Sequence, residues 1–181
     1  MSIFLIRHAQ SQFNAVYDPE LPDPMIFDAP LTELGEQQAI AARQQINDLP
    51  VERIIVSPLT RTLQTASLMF ADRLPQHVDP QVREQLCNSC DVGRPPPDLA
   101  SDYPHLYFGH LETHWWHDGE RDHRGFAVEP VEVLQERANA FASMLKSHRS
   151  HSIAVVTHGN FIRALTGVQP NNCEIVPLVF D

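Results

Sequence analysis

The chain has 181 residues, of which 43% are hydrophobic, enough to bury the core of a single domain. Its 23 acidic residues against 13 basic ones give a formal net charge of -10. That balance argues against nonspecific nucleic-acid binding, which needs a basic surface. No apolar run approaches the roughly 20 residues that cross a bilayer, and a secretory signal is not expected at the amino terminus. Three cysteines are too few for a disulfide scaffold, so a reduced, cytoplasmic protein is the simplest expectation.

Short apolar runs alternate with helix-forming stretches along most of the chain. Strands are predicted at 3–6, 53–56, 76–79, 152–157 and 175–180, and helices from Thr32 towards Pro50, from Pro58 through Met69, over 131–148 and up to Gly167. Residues 11–30 are rich in proline and aspartate and predict a loop. Alternating strands and helices predict a single α/β domain, a three-layer sandwich whose mainly parallel sheet has helices on both faces.

Two details of this prediction can be checked at single positions. The apolar stripe of the helix that begins after Thr32 is assigned to Ala39, Ile40, Arg43 and Ile46. Pro177 lies inside the last strand, and because proline donates no backbone hydrogen bond, that strand is expected at an edge of the sheet.

The stretch from 87 to 130 has a different character. It contains a triple proline, five histidines and six aromatic residues, with no sustained periodicity. We expect an inserted cap with one or two short helices rather than a second domain. The whole chain, 1–181, is therefore treated as one domain with a cap at about 87–130.

Three of the predicted strands lead into residues that suit an anion. The first leads to Arg7 and His8, the second to Arg61, and the strand at 152–157 to His158. Because the carboxyl ends of parallel strands lie along one edge of a sheet, these side chains can share one crevice. Two arginines suit a phosphoryl group, since each planar fork can bind two of its oxygens. Taken singly, each residue is as readily a surface charge or an ordinary loop histidine, so the prediction depends on their convergence.

These segments resemble the signature motifs of the histidine phosphatase superfamily, the phosphoglycerate mutase-like proteins. The matching segments are, in order, Leu5-Ile6-Arg7-His8-Ala9-Gln10-Ser11, Leu31-Thr32-Glu33-Leu34-Gly35, Ser57-Pro58-Leu59-Thr60-Arg61-Thr62 and Thr157-His158-Gly159. They occur in the family's order and span nearly the whole chain outside the cap. One position departs from the pattern: Ala9 stands where glycine is usual, so we expect a less free backbone there.

The resemblance implies a metal-independent phosphatase that uses no cofactor. His8 would attack phosphorus and form a phosphohistidine, which water would then hydrolyse. His158 would take part in catalysis, and the phosphoryl group would be held by Arg7, Asn14, Arg61, His158 and Gly159. Glu84 lies where the family usually places its acid/base glutamate, with Asp91 as the alternative acid. The expected substrate is a small phosphate ester.

Three other functions stay open on the sequence. The first is a phosphoglycerate-type mutase, disfavoured because the chain is short for one and no mutase motif is recognisable in the cap. The second is a catalytically weak phosphate-binding regulatory module, which only Ala9 favours. The third is a protein phosphohistidine phosphatase, although a sizeable cap favours a small substrate.

Some residues of the cap have motif-like spacing without the matching context. Cys87 and Cys90 have the spacing of a redox pair, but they do not open a helix after a strand. His110 and His114 would share a helical face without forming a zinc-protease motif. Neither redox nor metal use is expected. Three cap arginines could contact a second anionic group or form salt bridges: Arg94, Arg121 and Arg124.

Overall fold

The protein is built from five strands and six helices among residues 2–71, 73–147 and 151–180, the part of the chain that the computed structural model describes. The strands are β1 (Ile3–Arg7), β2 (Arg53–Val56), β3 (Gln76–Val78), β4 (Ile153–Thr157) and β5 (Ile175–Leu178). The helices are α1 (Gln12–Val16), α2 (Glu33–Asn47), α3 (Thr60–Phe70), α4 (Pro96–Asp102), α5 (Val131–Ser147) and α6 (Gly159–Thr166), with 3₁₀ turns at Pro80–Val82 and Ser89–Asp91.

The strands form one sheet in the order β3-β2-β4-β1-β5. Strand β4 is central and buried along its whole length, and it runs parallel to both β1 and β2. In register, Arg7 pairs with Thr157 and Val56 pairs with Val156, so these three strands end together. Only β5 is antiparallel, and it lies at an edge, as Pro177 predicts. The mainly parallel α/β sheet is therefore confirmed.

Helices cover both faces of the sheet. Neighbouring residues of a strand point to opposite sides, so the apolar strands present side chains that need burial on each face. On one face, Ile6 and Val56 pack in a core with α2 and α3. On the other face, Leu5 and Val155 pack in a second core with α5 and α6. The three-layer arrangement confirms the fold class, and it leaves the carboxyl ends of the strands uncovered by the helical layers.

The structure corrects two details of the sequence prediction. Residues 11–30 are not all loop, because Ser11 and Asn14 form a reciprocal capping box that starts α1 before the first proline of the segment. In α2, Ile40 is 51% exposed, and the buried stripe passes through Ala42 instead. A three-residue step from Ala39 to Ala42 keeps the stripe on one face of a helix with 3.6 residues per turn.

The loop that follows His8 is held against the start of α2. Thr32 caps this helix by accepting a hydrogen bond from the Gly35 N–H, and its own hydroxyl donates to the Gln10 side chain. A Cβ on residue 35 would overlap the carbonyl oxygen of Gln10. The glycine of the Leu-Thr-x-x-Gly motif therefore permits a close backbone approach that fixes the loop beside the site.

The segment 87–130 packs onto the same core as α2 and α3. It contains the Ser89–Asp91 turn and the short helix α4, and it buries Leu99, Phe108 and Trp115 against that core. Whether it acts as a cap over a substrate stays a prediction. In the described ranges, no helix combines the length and the apolar character needed to cross a membrane.

Candidate active site

The ends of β1, β2 and β4 bring three of the predicted residues into contact. His8 follows β1 directly, and its N–H donates to Thr157 O at 2.9 Å, tying it to the neighbouring strand end. Its ring lies 5.2 Å from that of His158, centroid to centroid. Arg61, in the first turn of α3, donates through Nε to His8 Nε2 at 3.3 Å. The parallel register alone is enough to produce this convergence.

His8 is held in a single tautomer. Its Nδ1 lies 2.7 Å from the carbonyl oxygen of Ala9, so Nδ1 carries the proton and donates it, while Nε2 accepts from Arg61. Burial, reinforced by the charge of Arg61, lowers the pKa of His8 well below its ordinary value. The imidazole is therefore neutral near pH 7, with the Nε2 lone pair facing the cluster of cations.

Ala9 does not strain the backbone beside His8. Its φ is not positive, so the left-handed conformation that favours glycine is not required there. The side chain is fully buried in the core, and the N–H donates to Thr65 Oγ1 at 3.1 Å. The substitution of alanine for glycine therefore requires no strained conformation at this position.

The guanidinium of Arg61 is fixed from two sides in addition to its bond with His8. Nη1 donates to the carbonyl oxygen of Cys90 at 2.6 Å, and Nη2 forms an ion pair with Asp91 at 2.8 Å. Both side chains of this ion pair are almost fully buried. The sequence predicts Asp91 only as an alternative acid, whereas in the structure it is the partner of Arg61.

Two nitrogen atoms at the site are buried and have no partner among the described residues. Nδ1 of His158 is one, since only its Nε2 is occupied, by Ser57 Oγ at 2.8 Å. Nε of Arg7 is the other, since only Nη1 of that side chain is bonded, to Pro170 O at 2.8 Å. Burial, with the nearby charge of Arg61, lowers the pKa of His158 well below its ordinary value. Unsatisfied buried nitrogens cost about 1–3 kcal/mol each, so such atoms indicate a place for a ligand.

Gly159, the first residue of α6, lies beside the side chain of Arg7. A Cβ at residue 159 would come 2.8 Å from the side-chain nitrogen of Gln169 and 3.6 Å from Nε of Arg7. The amino terminus of a helix carries a partial positive charge. The free Nε of Arg7 and the start of α6 therefore border the same space.

Glu84 also lies at the amino terminus of α6. Its carboxylate accepts hydrogen bonds from the backbone N–H groups of Asn160 and Phe161, at 3.2 and 3.3 Å, and from that of Gln85 at 2.9 Å. Burial raises the pKa of Glu84 to about 7, with a further contribution from the charge of Asp91. The group can therefore both give and take a proton near neutral pH.

Asn14 is not joined to the cluster by any contact that the structure records. Its side-chain oxygen accepts from the Ser11 N–H, and the residue is exposed on α1. Its predicted contact with phosphate stays a prediction.

The cap's charged residues and cysteines have local partners. Arg94 pairs with Asp28 and Asp102, and Arg124 pairs with two aspartates of its own. The salt-bridge interpretation of the cap arginines therefore applies to Arg94 and to Arg124. Cys87 and Cys90 are free thiols whose pKa burial raises, to about 12 for Cys87, which makes them poor nucleophiles. Within the described ranges, no group of three or more histidine, cysteine or carboxylate side chains could hold a metal ion.

Sequence reasoning missed two of the site's supporting contacts. One is the Ser57 hydroxyl on His158, which the position of Ser57 at the end of β2 could have suggested. The other is the Asp91 carboxylate on Arg61, which lies in a stretch without periodicity. No pattern of spacing could have found the second contact.

Fold and site together define an α/β protein in which two histidines and two arginines lie where parallel strands end. The family model of the histidine phosphatase superfamily (branch 1) matches residues 3–169, and the chain belongs to this superfamily.

Several known proteins are similar to the chain over most of its length. Phosphoglycerate mutase-like protein 1 of Arabidopsis thaliana is 28% identical over 210 residues, covering 96% of this chain and 73% of that protein. The adenosylcobalamin/alpha-ribazole phosphatase of Salmonella typhimurium is 26% identical over 170 residues, covering 91% and 77%. The crystal structure of phosphoserine phosphatase from Entamoeba histolytica with 3-phosphoglyceric acid superposes with a TM-score of 0.62 at 20% identity, covering 99% and 90%. That last likeness shows a shared fold.

Proposed function

We propose that the protein is a phosphomonoesterase that works through a covalent phosphohistidine on His8. One observation carries the proposal: the free, buried Nδ1 of His158 and Nε of Arg7 flank a neutral imidazole whose Nε2 faces Arg61. Phosphoryl oxygens would satisfy both nitrogens, and Arg61 would donate to a third oxygen. Membership of a superfamily with phosphatase relatives supports the same class of reaction.

In the first step, Nε2 of His8 attacks phosphorus in line with the ester oxygen. The N–P bond forms as the P–O bond to the alcohol breaks, and Glu84 delivers its proton to the leaving oxygen. The Nδ1–H bond to Ala9 O holds the ring in place and stabilises the charge that develops on it. Arg7, Arg61 and His158 stabilise the charge on the equatorial oxygens, and Asn14 is proposed to join them.

In the second step, water attacks the phosphohistidine. Glu84, now ionised, accepts a proton from that water while the N–P bond breaks, which releases inorganic phosphate and restores neutral His8. A pKa of about 7 suits Glu84 to both directions of transfer. The cycle returns every group to its starting protonation state without a metal ion, and metal independence is part of the proposal.

The substrate is proposed to be a small phosphate ester, because His8 is only 3% exposed and a protein surface would not reach its ring. Relatives named as phosphatases of phosphoserine and alpha-ribazole are consistent with small substrates. No role for nucleic acid or membrane is proposed. The three free thiols support a location in the reducing cytoplasm.

The test measures hydrolysis of p-nitrophenyl phosphate in the presence of a chelator, for wild type, His8→Ala and His123→Ala. His123 is an exposed cap histidine and provides a matched control for the same substitution. We expect activity in wild type and in H123A, and its loss in H8A by at least about a thousandfold. Brief labelling with a radioactive phosphate ester, followed by alkaline quenching, should trap an acid-labile phosphoprotein in wild type and in H123A but not in H8A.

Full activity in H8A would refute the assignment of the nucleophile, and loss of wild-type activity on chelation would refute metal independence. A mutase has a different signature, since phosphoryl groups would exchange between 2- and 3-phosphoglycerate faster than phosphate is released. The similarity to the Arabidopsis mutase-like protein makes this exchange assay worth running on the same samples.

A further inference from the structure

The Arg61–Asp91 ion pair links the two functions of the site, phosphate binding and proton transfer. We propose that Asp91 is a positioning residue, whose carboxylate fixes the Arg61 guanidinium against His8 and keeps the proton on Glu84 before the reaction. This inference rests on the proposed phosphatase function for its catalytic consequence. It replaces the interpretation of Asp91 as an alternative acid.

The carboxylate of Asp91 is itself held rigidly. Oδ1 accepts from Nη2 of Arg61 at 2.8 Å, and Oδ2 accepts from the backbone N–H groups of Cys87 and Asn88, at 3.2 and 3.1 Å. These bonds close a capping box at the Ser89–Asp91 turn. Burial raises the pKa of Asp91, whereas the charge of Arg61 and the two backbone N–H donors oppose this rise and favour the ionised carboxylate of the ion pair with Arg61.

The orientation of Arg61 follows from these contacts. Asp91 and the carbonyl oxygen of Cys90 hold the two terminal nitrogens, at 2.8 and 2.6 Å, and this directs Nε towards Nε2 of His8. Without Asp91, the guanidinium could rotate about its side-chain torsions, since no other side-chain carboxylate bonds it. Because the Arg61 guanidinium is already fixed beside His8, the reaction avoids the loss of conformational entropy that ordering a mobile arginine would add to each turnover.

The second effect acts on Glu84. The ionised Asp91 repels a negative charge there, which adds to the effect of burial in raising the pKa of Glu84. Charged and titratable groups from three elements act on the Glu84 carboxyl: Asp91 and the Cys87 thiol from the 87–91 stretch, Arg61 from α3 and Arg7 from β1. The backbone N–H groups of Asn160 and Phe161 in α6 donate hydrogen bonds to it. Arg137 of α5 bonds the backbone oxygen of Glu84 instead. Asp91 is the carboxylate in this set, and its negative charge adds to burial in raising the pKa of Glu84.

The experiment compares wild type with Asp91→Asn, Asp91→Glu and Asp102→Asn. Asp102 is a matched control, because it is also an aspartate paired with an arginine, Arg94, but it lies outside the site and is more exposed. Two readouts are used. Carbon-13 NMR follows the titration of the Glu84 carboxyl, assigned by its loss in Glu84→Gln, and steady-state kinetics follow kcat/KM against pH.

The kinetics use phenyl phosphate, whose leaving group needs a proton, and p-nitrophenyl phosphate, whose leaving group does not. In D91N we expect the alkaline limb for phenyl phosphate to move about one pH unit lower, and the Glu84 titration to move with it. The limb for p-nitrophenyl phosphate should move much less. Loss of orientation at Arg61 should lower kcat for both substrates by roughly tenfold to a hundredfold. D91E, which keeps the charge, and D102N should keep the wild-type limb and titration.

A kcat in folded D91N equal to that of wild type would overturn the positioning of Arg61, and an unmoved alkaline limb or an unmoved Glu84 titration would overturn the effect on Glu84. If D91N does not fold, the Glu84 titration of wild type still tests the inference, since a midpoint in the ordinary glutamate range would overturn it. If wild type hydrolyses neither ester, the proposed function fails. The NMR titration then still tests the link between Asp91 and Glu84 separately.

Discussion

Replacing Glu84 with glutamine should remove a loss of stability that wild type suffers at alkaline pH. In the unfolded chain this carboxyl gives up its proton near its ordinary value of 4.5, whereas burial in the folded protein raises its pKa to about 7. Between these values the folded state binds more protons than the unfolded state. The free energy of unfolding therefore contains a contribution that is complete below the unfolded pKa and is lost as the pH rises through the folded pKa.

The magnitude follows from the size of the pKa difference. At about 1.4 kcal/mol per pKa unit, the rise from 4.5 to about 7 corresponds to roughly 3 kcal/mol lost between mildly acidic and alkaline pH. At pH 5 the carboxyl of the unfolded chain is already largely ionised and the folded one is not, so a change of about 2–3 kcal/mol is expected in wild type between pH 5 and pH 8. In E84Q the side chain cannot ionise, so this contribution is absent at every pH.

The assay is urea unfolding of wild type and E84Q at about pH 5 and about pH 8. The difference in the free energy of unfolding between the two proteins at each pH removes the contribution of the histidines, which titrate in both. The amide also loses one of the two acceptor oxygens that cap α6, but that penalty is the same at each pH and cancels in the comparison. E84Q should gain about 2–3 kcal/mol relative to wild type on going to the higher pH. A stability difference that is constant between the two pH values would refute the assignment of a raised pKa to Glu84.

Three further substitutions test the contacts around the site. Gly35→Ala should lower the free energy of unfolding by about 1–3 kcal/mol in urea titrations, because a Cβ would meet the Gln10 backbone, whereas Gly119→Ala, with no atom closer than 3.5 Å, should change it by less than about 0.5 kcal/mol. Ser57→Ala removes the hydroxyl on His158 and should lower kcat about tenfold while thermal unfolding stays near wild type; unchanged kcat would contradict a positioning contact. Glu129→Ala leaves the largely buried side chains of Arg83 and Arg137 without their shared carboxylate. It should lower the free energy of unfolding by about 3–5 kcal/mol in denaturant titrations, and a loss below about 1 kcal/mol would show that the arginines find other partners.

The sequence predicts the arrangement of the site well where a residue directly follows a buried strand. His8 and His158 come straight after β1 and β4, and Arg61 lies shortly after β2. The apolar runs fix the strands, and parallel pairing then brings their ends together without further information. The same logic applies to the edge position of β5, since Pro177 can be accommodated only where a neighbouring strand is absent on one side.

The parts that could not be predicted depend on side chains that meet across irregular backbone. The capping of α6 by Glu84 joins residues 76 positions apart, and the hold of Asp91 on Arg61 joins a 3₁₀ turn to a helix. Neither residues 79–86 nor the cap at 87–130 has a hydrophobic period from which a buried face could be inferred. The exposure of Ile40 is a smaller case, since a stripe drawn through adjacent apolar residues is ambiguous by about one position until the helix is packed.

The central position of β4 determines when the site can exist during synthesis. Strand β1 pairs with β4 and β5, and β2 pairs with β3 and β4, so the two amino-terminal strands have no direct pairing with each other among the described residues. Ile3 must wait for Ile153 to leave the ribosome before its strand has a parallel partner. A nascent chain that ends before β4 therefore carries the His8 strand and the Arg61 helix as separate pieces. The pairing of β1 with β4 joins distant parts of the chain and comes late, so it should make folding slow. The cluster around His8 should form in the last stage of translation or after it.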